Sequence, residues 1–132
     1  MRMEPGETRF MEMVFPEQAN HYGTLYGGTA LSLMGKAAYI AASRAARGPV
    51  VMAASEKVDF HQPATIGQMI ELTARVIRRG RTSLTIAVEV TAETLATGAR
   101  CRAMSGSFEM VAVDAAGKPV PLTTKEDIRE DA

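Results

Sequence analysis

The sequence predicts an α+β fold in which a curved antiparallel sheet of about five strands wraps one long central helix. The first observation is an alanine-rich stretch, residues 28–47, whose apolar residues cover most of a helical circumference. The second is a series of later stretches in which apolar and polar residues alternate, with turn signals and no second helix between them. A helix this apolar needs other structure around it, and the strands supply that structure.

The predicted elements follow one another in a simple order. Pro16 ends a first strand, and the Gly-Pro pair at 48–49 is a common signal for the end of a helix. Short turn sequences at 79–80 and 96–98 separate later strands. We therefore predict a first strand at 8–15, a loop at 16–27, the helix from Gly28 to Arg47, and strands at 50–60, 68–78, 81–93 and 99–113.

The composition is that of one globular domain. The chain has 132 residues, of which 46% are hydrophobic and 23% are charged. Fifteen basic residues balance fifteen acidic ones, and no basic block is present, which argues against a nucleic-acid-binding protein. We expect residues 1–122 to form a single domain and residues 123–132 to form a charged, flexible C-terminal tail.

Three features bear on the cellular compartment. Cys101 is the only cysteine, so no intramolecular disulfide can form. Residues 1–10 are mostly polar and lack the apolar stretch of a signal peptide. The apolar stretch at 30–42 is interrupted by polar residues and a glycine, and it is too short to cross a bilayer. These features predict a cytoplasmic protein that does not bind membranes.

Residues 20–36 carry the most information about function. A loop rich in turn-forming residues ends in Gly27 and Gly28 and opens directly into the helix. The first N–H groups of a helix have no intrahelical partner and point out of its N-terminus, so they bind carbonyls and anions. The segment therefore predicts a site for a carbonyl or anionic ligand at the start of the helix.

Three segments resemble the hot-dog-fold acyl-CoA thioesterases: residues 20–28 (NHYGTLYGG), residues 57–63 (KVDFHQP) followed by Gly67, and residues 79–83 (RGRTS). The last strand and the following segment, residues 108–121, also resemble that family. The first segment is the most specific, because its spacing and its position before a helix agree. The resemblance covers about residues 8–122. It implies the hot-dog fold and hydrolysis of an acyl-CoA to free acid and CoA.

The resemblance also implies roles for individual residues. The backbone N–H of Gly28 would polarise the thioester carbonyl, with Gly27 beside it in the substrate site. Asn20 would contribute to the same site. In the family, such sites lie at a dimer interface and use residues of both protomers. A carboxylate on the partner's helix activates water or attacks the carbonyl.

Gly35 is where this chain departs from the family pattern. Aligning on Gly27 and Gly28 places the family aspartate at Gly35 and its acidic neighbour at Lys36. Gly28 and Gly35 are seven residues apart, so they lie on one side of the helix about 10 Å apart along its axis. Glycine has no group that can act as a base. We expect the space at Gly35 to be used by a ligand, a partner side chain or a facing helix.

Glu56 is the first candidate for the missing base. Its strand lines the site in hot-dog relatives, and regular alternation places it on one face with apolar residues such as Val58. A carboxylate among apolar residues is partly desolvated and becomes a better base. Asp59 falls on the other face and is expected to be structural. A water molecule assisted by His21 or His61 is the remaining alternative.

An arginine cluster is the candidate site for the phosphates of CoA. Arg79 and Arg81 belong to the family-like RGRTS segment, together with Thr82 and Ser83. Guanidinium groups bind phosphate through two parallel hydrogen bonds. Two histidines and one cysteine show no metal-ligand spacing, so we expect no metal site and no cofactor other than the CoA of the substrate.

Three functional hypotheses follow. The leading one is an acyl-CoA thioesterase whose base has moved, and the alternative is a non-hydrolytic binder of acyl-CoA or acyl carriers that has lost its carboxylate. The third is a subunit paired with a homologue that supplies the aspartate. Because one helix leaves a sheet edge and face uncovered, we expect a homodimer that assembles into a tetramer or hexamer.

Overall fold

Within residues 7–122, which the computed structural model describes, five strands form one antiparallel sheet and one long helix lies across a face of it. The tail predicted at 123–132 lies outside the described residues. The elements are β1 (Glu7–Met13), a short 3₁₀ helix (Pro16–Gln18), α1 (Gly27–Ala46), β2 (Val50–Phe60), β3 (Met69–Arg79), β4 (Ser83–Glu93) and β5 (Arg100–Ala112). This arrangement confirms the predicted fold class.

The strand order is β1-β3-β4-β5-β2, so the strand that follows the helix forms one edge of the sheet. β3, β4 and β5 are joined by hairpins at the predicted turns. In the first hairpin the Gly80 N–H donates to the Ser83 carbonyl at 2.8 Å, so β4 begins two residues later than predicted. The helix ends at Ala46 because Arg47 adopts a left-handed conformation with φ 54°.

The hydrophobic core lies between the helix and the sheet. β4 contributes a regular alternation of fully buried side chains: Leu84, Ile86, Val88 and Val90. The helix contributes mainly small residues, which let its backbone approach the sheet closely: Ala30, Met34, Ala37, Ala38, Ala41, Ala42 and Ala46. The helix is covered on this side only, since Leu31 and Tyr39 remain exposed.

The face of the sheet away from the helix is charged. Glu7, which is buried, pairs with Arg9 at 3.4 Å and with Arg75 at 3.6 Å. Glu71 and Glu93 both pair with Arg100. Ion pairs therefore cover part of the outer face, and the exposed side chains of Met11 and Met13 lie on the same face.

A group of exposed apolar side chains lies at the β2 edge. Val51 and Met52 of β2 are 49% and 44% exposed. Leu31 and Tyr39, which share a helix face with Gly35, are 42% and 50% exposed. We call the following five residues the edge surface: Leu31, Gly35, Tyr39, Val51 and Met52. Apolar side chains beside an unpaired strand are typical of a surface that another chain covers.

Candidate active site

The start of α1 presents unpaired backbone donors. Tyr26 is extended, with φ −64° and ψ 134°, and the helix begins at Gly27. The first hydrogen bond of the helix runs from the Ala30 N–H to the Tyr26 carbonyl at 2.9 Å. Within residues 7–122 the N–H groups of Gly27, Gly28 and Thr29 therefore have no acceptor. This is the arrangement that the sequence predicts for binding a carbonyl or an anion.

Asn20 organises the loop before the helix. Its Oδ1 accepts hydrogen bonds from the Tyr22 N–H at 3.0 Å, the Thr24 N–H at 3.2 Å and the Thr24 hydroxyl at 3.1 Å. Its amide nitrogen has no partner in the part of the chain that the structure describes. Asn20 is thus a turn residue through its oxygen, and it keeps two N–H donors for a ligand.

A cavity of about 230 Å³ adjoins the helix start. The loop contributes Thr24 and Leu25, and the helix contributes Gly27. The opposite wall consists of residues 60–64 together with Met104 of β5. The two walls are held together by the hydrogen bond from the Leu25 N–H to the Ala64 carbonyl, at 2.7 Å. The lining is mainly apolar, so it suits a ligand that combines an apolar chain with one carbonyl.

Gly35 lies two turns along the helix, beside β2. A Cβ built at this position would meet only the terminal methyl group of Met52, at 3.3 Å. The end of a methionine side chain moves easily, so there is room for a larger residue at position 35.

The structure places Glu56 on the face of the sheet away from the helix. Two register shifts interrupt β2, and Lys57 has φ 45° at the second. Glu56 therefore lies opposite Ser107, whereas Val58 packs against the core. The expected shared face of Glu56 and Val58 is wrong, because the bulge reverses the alternation. Glu56 is exposed and does not line the cavity of its own chain.

The arginine hairpin lies at the other end of the sheet. Ser83 is opposite Val111 of β5, whereas Phe60 of the cavity is opposite Met104. Seven residues of strand separate these two levels by about 23 Å. A single chain therefore does not bring Arg79, Arg81, Thr82 and Ser83 to the cavity.

Residues 22–99 match the model of the thioesterase superfamily, which is more than half of the chain. The chain belongs to this superfamily. The Salmonella typhimurium acyl-CoA thioester hydrolase YciA is 35% identical over 120 residues, which are 89% of this chain and 90% of YciA. The Bacillus subtilis protein YkhA, named as an uncharacterised acyl-CoA thioester hydrolase, is 36% identical over 91% of this chain and 74% of its own length.

Solved structures of thioesterases share the fold. A hexameric acyl-CoA thioesterase in its apo form has a TM-score of 0.88 and 36% identity, covering 95% of this chain and 83% of its own. The Staphylococcus aureus acyl-CoA hydrolase, solved with butyryl-CoA and with CoA, has a TM-score of 0.85 and 26% identity. The match covers 97% of this chain and 82% of the Staphylococcus aureus chain. The fold of this superfamily member is therefore the predicted hot-dog fold.

Two features of this thioesterase fold escaped sequence reasoning. Residues 60–64 form a wall of the cavity, although only His61 among them was a candidate, because they meet the helix start through tertiary pairing alone. Met52 contacts the space at Gly35, and its sequence context shows only an apolar strand residue. His21 packs against Tyr22 with ring centroids 4.0 Å apart and the ring planes tilted by 39°, and it does not line the cavity.

Residues 7–122 contain no group of three or more His, Cys, Asp or Glu side chains that could hold a metal ion. In the same range, no helix combines the length and apolar character needed to cross a bilayer.

Proposed function

We propose that this chain is an acyl-CoA thioester hydrolase that binds the thioester carbonyl at the start of α1. The observation that carries the proposal is the set of three unpaired N–H groups, of Gly27, Gly28 and Thr29, beside a mainly apolar cavity. The family membership and the hydrolase names of the relatives support it. Asn20 lies in the loop that leads into α1, and its free N–H donors are a second set of donors for the ligand.

The chemistry follows from this geometry. The carbonyl oxygen accepts hydrogen bonds from the helix N–H groups, which makes its carbon more electrophilic. Water adds to that carbon, and the same donors stabilise the resulting oxyanion more strongly than the ground-state carbonyl. A base takes a proton from the attacking water, the C–S bond breaks with the electron pair going to sulfur, and that proton passes to the sulfur, releasing the acid and CoA. The reaction needs no metal and no cofactor beyond the CoA of the substrate, and we propose that it takes place in the cytoplasm.

The spacing of three residues in the Staphylococcus aureus enzyme supports Gly35 as the position of the missing carboxylate. Alanine variants of the Staphylococcus aureus enzyme replace an asparagine, an aspartate 15 residues later and a threonine 17 residues after that. In this chain the same spacings lead from Asn20 to Gly35 and then to Met52. These two residues adjoin in space, since Met52 is what a Cβ at Gly35 would meet. We infer that both polar groups are replaced here by glycine and methionine.

This double replacement favours one alternative function. A chain that keeps the carbonyl site at the helix start but lacks both polar groups would bind acyl-CoA without hydrolysing it. The hydrolase proposal therefore requires a base from elsewhere. Glu56 stays the base that the sequence predicts, although its carboxylate would have to reach the substrate from the outer face. Pairing with a homologous subunit that brings its own aspartate is the third possibility.

We propose that the edge surface is covered by a second copy of the chain. A two-fold pairing of β2 with its copy would be antiparallel and would bring the end of one strand near the start of the other. The cavity lies at the end of β2, and the arginine hairpin lies at the level of its start. The partner's hairpin would then reach the CoA of a substrate bound in the cavity. Relatives described as hexameric support further assembly of such dimers into a hexamer.

A thiol-release assay tests the hydrolase proposal. We expect the wild-type protein to release CoA from acyl-CoAs and the Gly35→Asp variant to fold, because only the flexible end of Met52 must move. Since a positioned base contributes about 10²–10⁴-fold to a rate, Gly35→Asp should raise kcat if the wild type lacks an efficient base. A wild type that binds CoA but is inert, combined with an active Gly35→Asp variant, would establish the binder instead.

The Glu56→Gln variant is measured in the same assay, with thermal melts to confirm folding. Loss of turnover in a folded Glu56→Gln protein would support Glu56 as the base. Unchanged turnover would exclude it.

Calorimetry with free CoA tests the arginine hairpin. We expect Arg81→Ala to weaken CoA binding about 10–100-fold and to reduce its salt dependence, because a charge-assisted hydrogen bond contributes about 1.5–3 kcal/mol. Arg102→Ala is the control, since Arg102 lies on the outer face, where its nearest acid is Glu89 at 3.9 Å. Equal effects of both variants would show that only general charge attraction is involved.

A further inference from the structure

The ring of Tyr26 lies against the start of α1. A Cβ added at Gly28 would meet Tyr26 Cε2 at 2.7 Å, Cδ2 at 3.3 Å and Cζ at 3.5 Å, so the ring occupies the space beside the Gly28 Cα. Since a Cβ lies only about 2.5 Å from the nitrogen of its own residue, a carbon of this ring is within about 5 Å of the Gly28 nitrogen. The N–H of Gly28 has no acceptor within residues 7–122, so an aromatic ring adjoins one of the proposed carbonyl donors.

The backbone of Tyr26 is held on both sides. Its N–H donates to the Gln18 carbonyl at 2.9 Å, and its own carbonyl accepts from the Ala30 N–H, also at 2.9 Å. The main chain that carries the ring is thus part of the same turn as the helix-start donors. The side chain is nevertheless 58% exposed, so the part of the ring that does not pack on Gly28 is accessible to a ligand.

The ring and the cavity flank the helix start on different sides. The cavity is lined by Gly27 but by neither Gly28 nor Tyr26. Successive helix residues point about 100° apart, so Gly27 and Gly28 face different directions. The Cβ position of Gly27 has no atom within 4 Å, whereas that of Gly28 is filled by the ring. The helix-start donors therefore lie between an open apolar cavity and an aromatic side chain.

This arrangement gives the two substituents of a thioester carbonyl carbon different surroundings. With the acyl chain in the apolar cavity, the sulfur points away from the cavity, toward Tyr26. Resting on the proposed hydrolase function, we propose that Tyr26 is a specificity-determining residue whose ring contacts the sulfur of the bound thioester. Sulfur is polarizable and makes favourable contacts with aromatic rings. The oxygen of an ordinary ester lacks this property, so the ring favours thioesters over oxygen esters.

Two compounds that differ in one atom test this contact: butyryl-CoA and its oxygen ester, in which oxygen replaces the sulfur. Thiol release gives kcat/KM for butyryl-CoA, and competition with butyryl-CoA gives Ki for the oxygen ester. We expect Tyr26→Ala and Tyr26→Leu to lower kcat/KM for butyryl-CoA about two- to tenfold, the range for one sulfur–aromatic contact. The Ki of the oxygen ester should stay within about twofold of the wild-type value. Tyr26→Phe, which keeps the ring, should match the wild type for both compounds.

Gly28→Ala moves the ring without changing it. The new Cβ would displace the exposed Tyr26 ring while the N–H of residue 28 is kept, so we expect the same loss for butyryl-CoA. In the Gly28→Ala/Tyr26→Ala protein the loss should be no larger than in Tyr26→Ala, because both changes remove one contact. Tyr22→Ala is the matched control, since Tyr22 lies in the same loop, is 78% exposed and packs against His21. Thermal melts confirm that each variant is folded.

The outcomes separate this proposal from the hydrolase proposal. A wild type that releases no thiol from any acyl-CoA would overturn the hydrolase function and this role with it. An active wild type whose kcat/KM is unchanged in Tyr26→Ala would overturn the role of Tyr26 alone. Equal losses for butyryl-CoA and its oxygen ester would show that the ring only supports the helix start. Full activity in Tyr26→Leu would assign the contact to apolar bulk, which also contradicts the proposal.

Discussion

Replacing Gly27 with proline is expected to lower kcat for acyl-CoA hydrolysis by about 10²–10³-fold while leaving the fold intact. Gly27 lines the cavity and is the first residue of α1. Its N–H has no acceptor within residues 7–122, and proline removes that N–H. Loss of one preorganised donor to a developing oxyanion has an effect of this size on the chemical step, so kcat should fall more than KM changes.

The local structure is unusually well suited to this substitution. Proline is favoured at the first position of a helix, where its fixed φ matches the helix and no hydrogen bond is lost. The residue before a proline must be extended, and Tyr26 already has ψ 134°. A Cβ at Gly27 would meet no atom within 4 Å. We expect the stability of Gly27→Pro to equal or exceed that of the wild type, because proline restricts the unfolded chain.

Gly27→Ala is the matched control, since it adds a Cβ but keeps the N–H. Steady-state kinetics on the three proteins, with thermal melts, separates loss of the donor from loss of the fold. If Gly27→Pro and Gly27→Ala were both as active as the wild type, the carbonyl would be held by the N–H of Gly28 or Thr29. A loss shared by both variants would point to the added bulk rather than to the missing hydrogen bond.

Most of the fold could be predicted because local signals in this sequence are strong. β2 occupies the predicted residues 50–60, and the predicted helix differs by one residue at each end. The Gly-Pro pair after the helix and the short turns between the strands are local features, so their position in the chain is enough to locate them. The donors at the helix start were predictable for the same reason, since they depend only on where a helix begins.

The composition of the site could not be predicted in the same way. Its two walls are about 40 residues apart in sequence and meet through Leu25 and Ala64, a contact that has no local signature. The face on which Glu56 lies depends on a bulge opposite β5, and a bulge is visible only once the partner strand is known. Alternation therefore gave the wrong face for Glu56.

The glycine in the middle of β5 should be sensitive to substitution, because a Cβ there would enter the core. We expect Gly106→Ala to lower the free energy of unfolding by about 1–3 kcal/mol, because it overpacks the core. A Cβ at Gly106 would lie 3.0 Å from a methyl group of Val58 and 3.3 Å from the end of Met34. Met34 can move its flexible end, but Val58 is branched and follows the bulge of β2. Glycine here allows two core side chains to pack against the strand backbone.

A double-mutant cycle in chemical denaturation shows whether this clash is the cause. Val58→Ala alone should cost about 1 kcal/mol, because two methyl groups of a partly buried side chain are lost. The Gly106→Ala/Val58→Ala protein should be destabilised by less than the sum, since removing the Val58 methyls makes room for the new Cβ. Gly48→Ala, whose Cβ would have its nearest neighbour at 4.0 Å, controls for the general effect of replacing glycine. Strict additivity would mean that the backbone of β5, rather than its contact with Val58, requires the glycine.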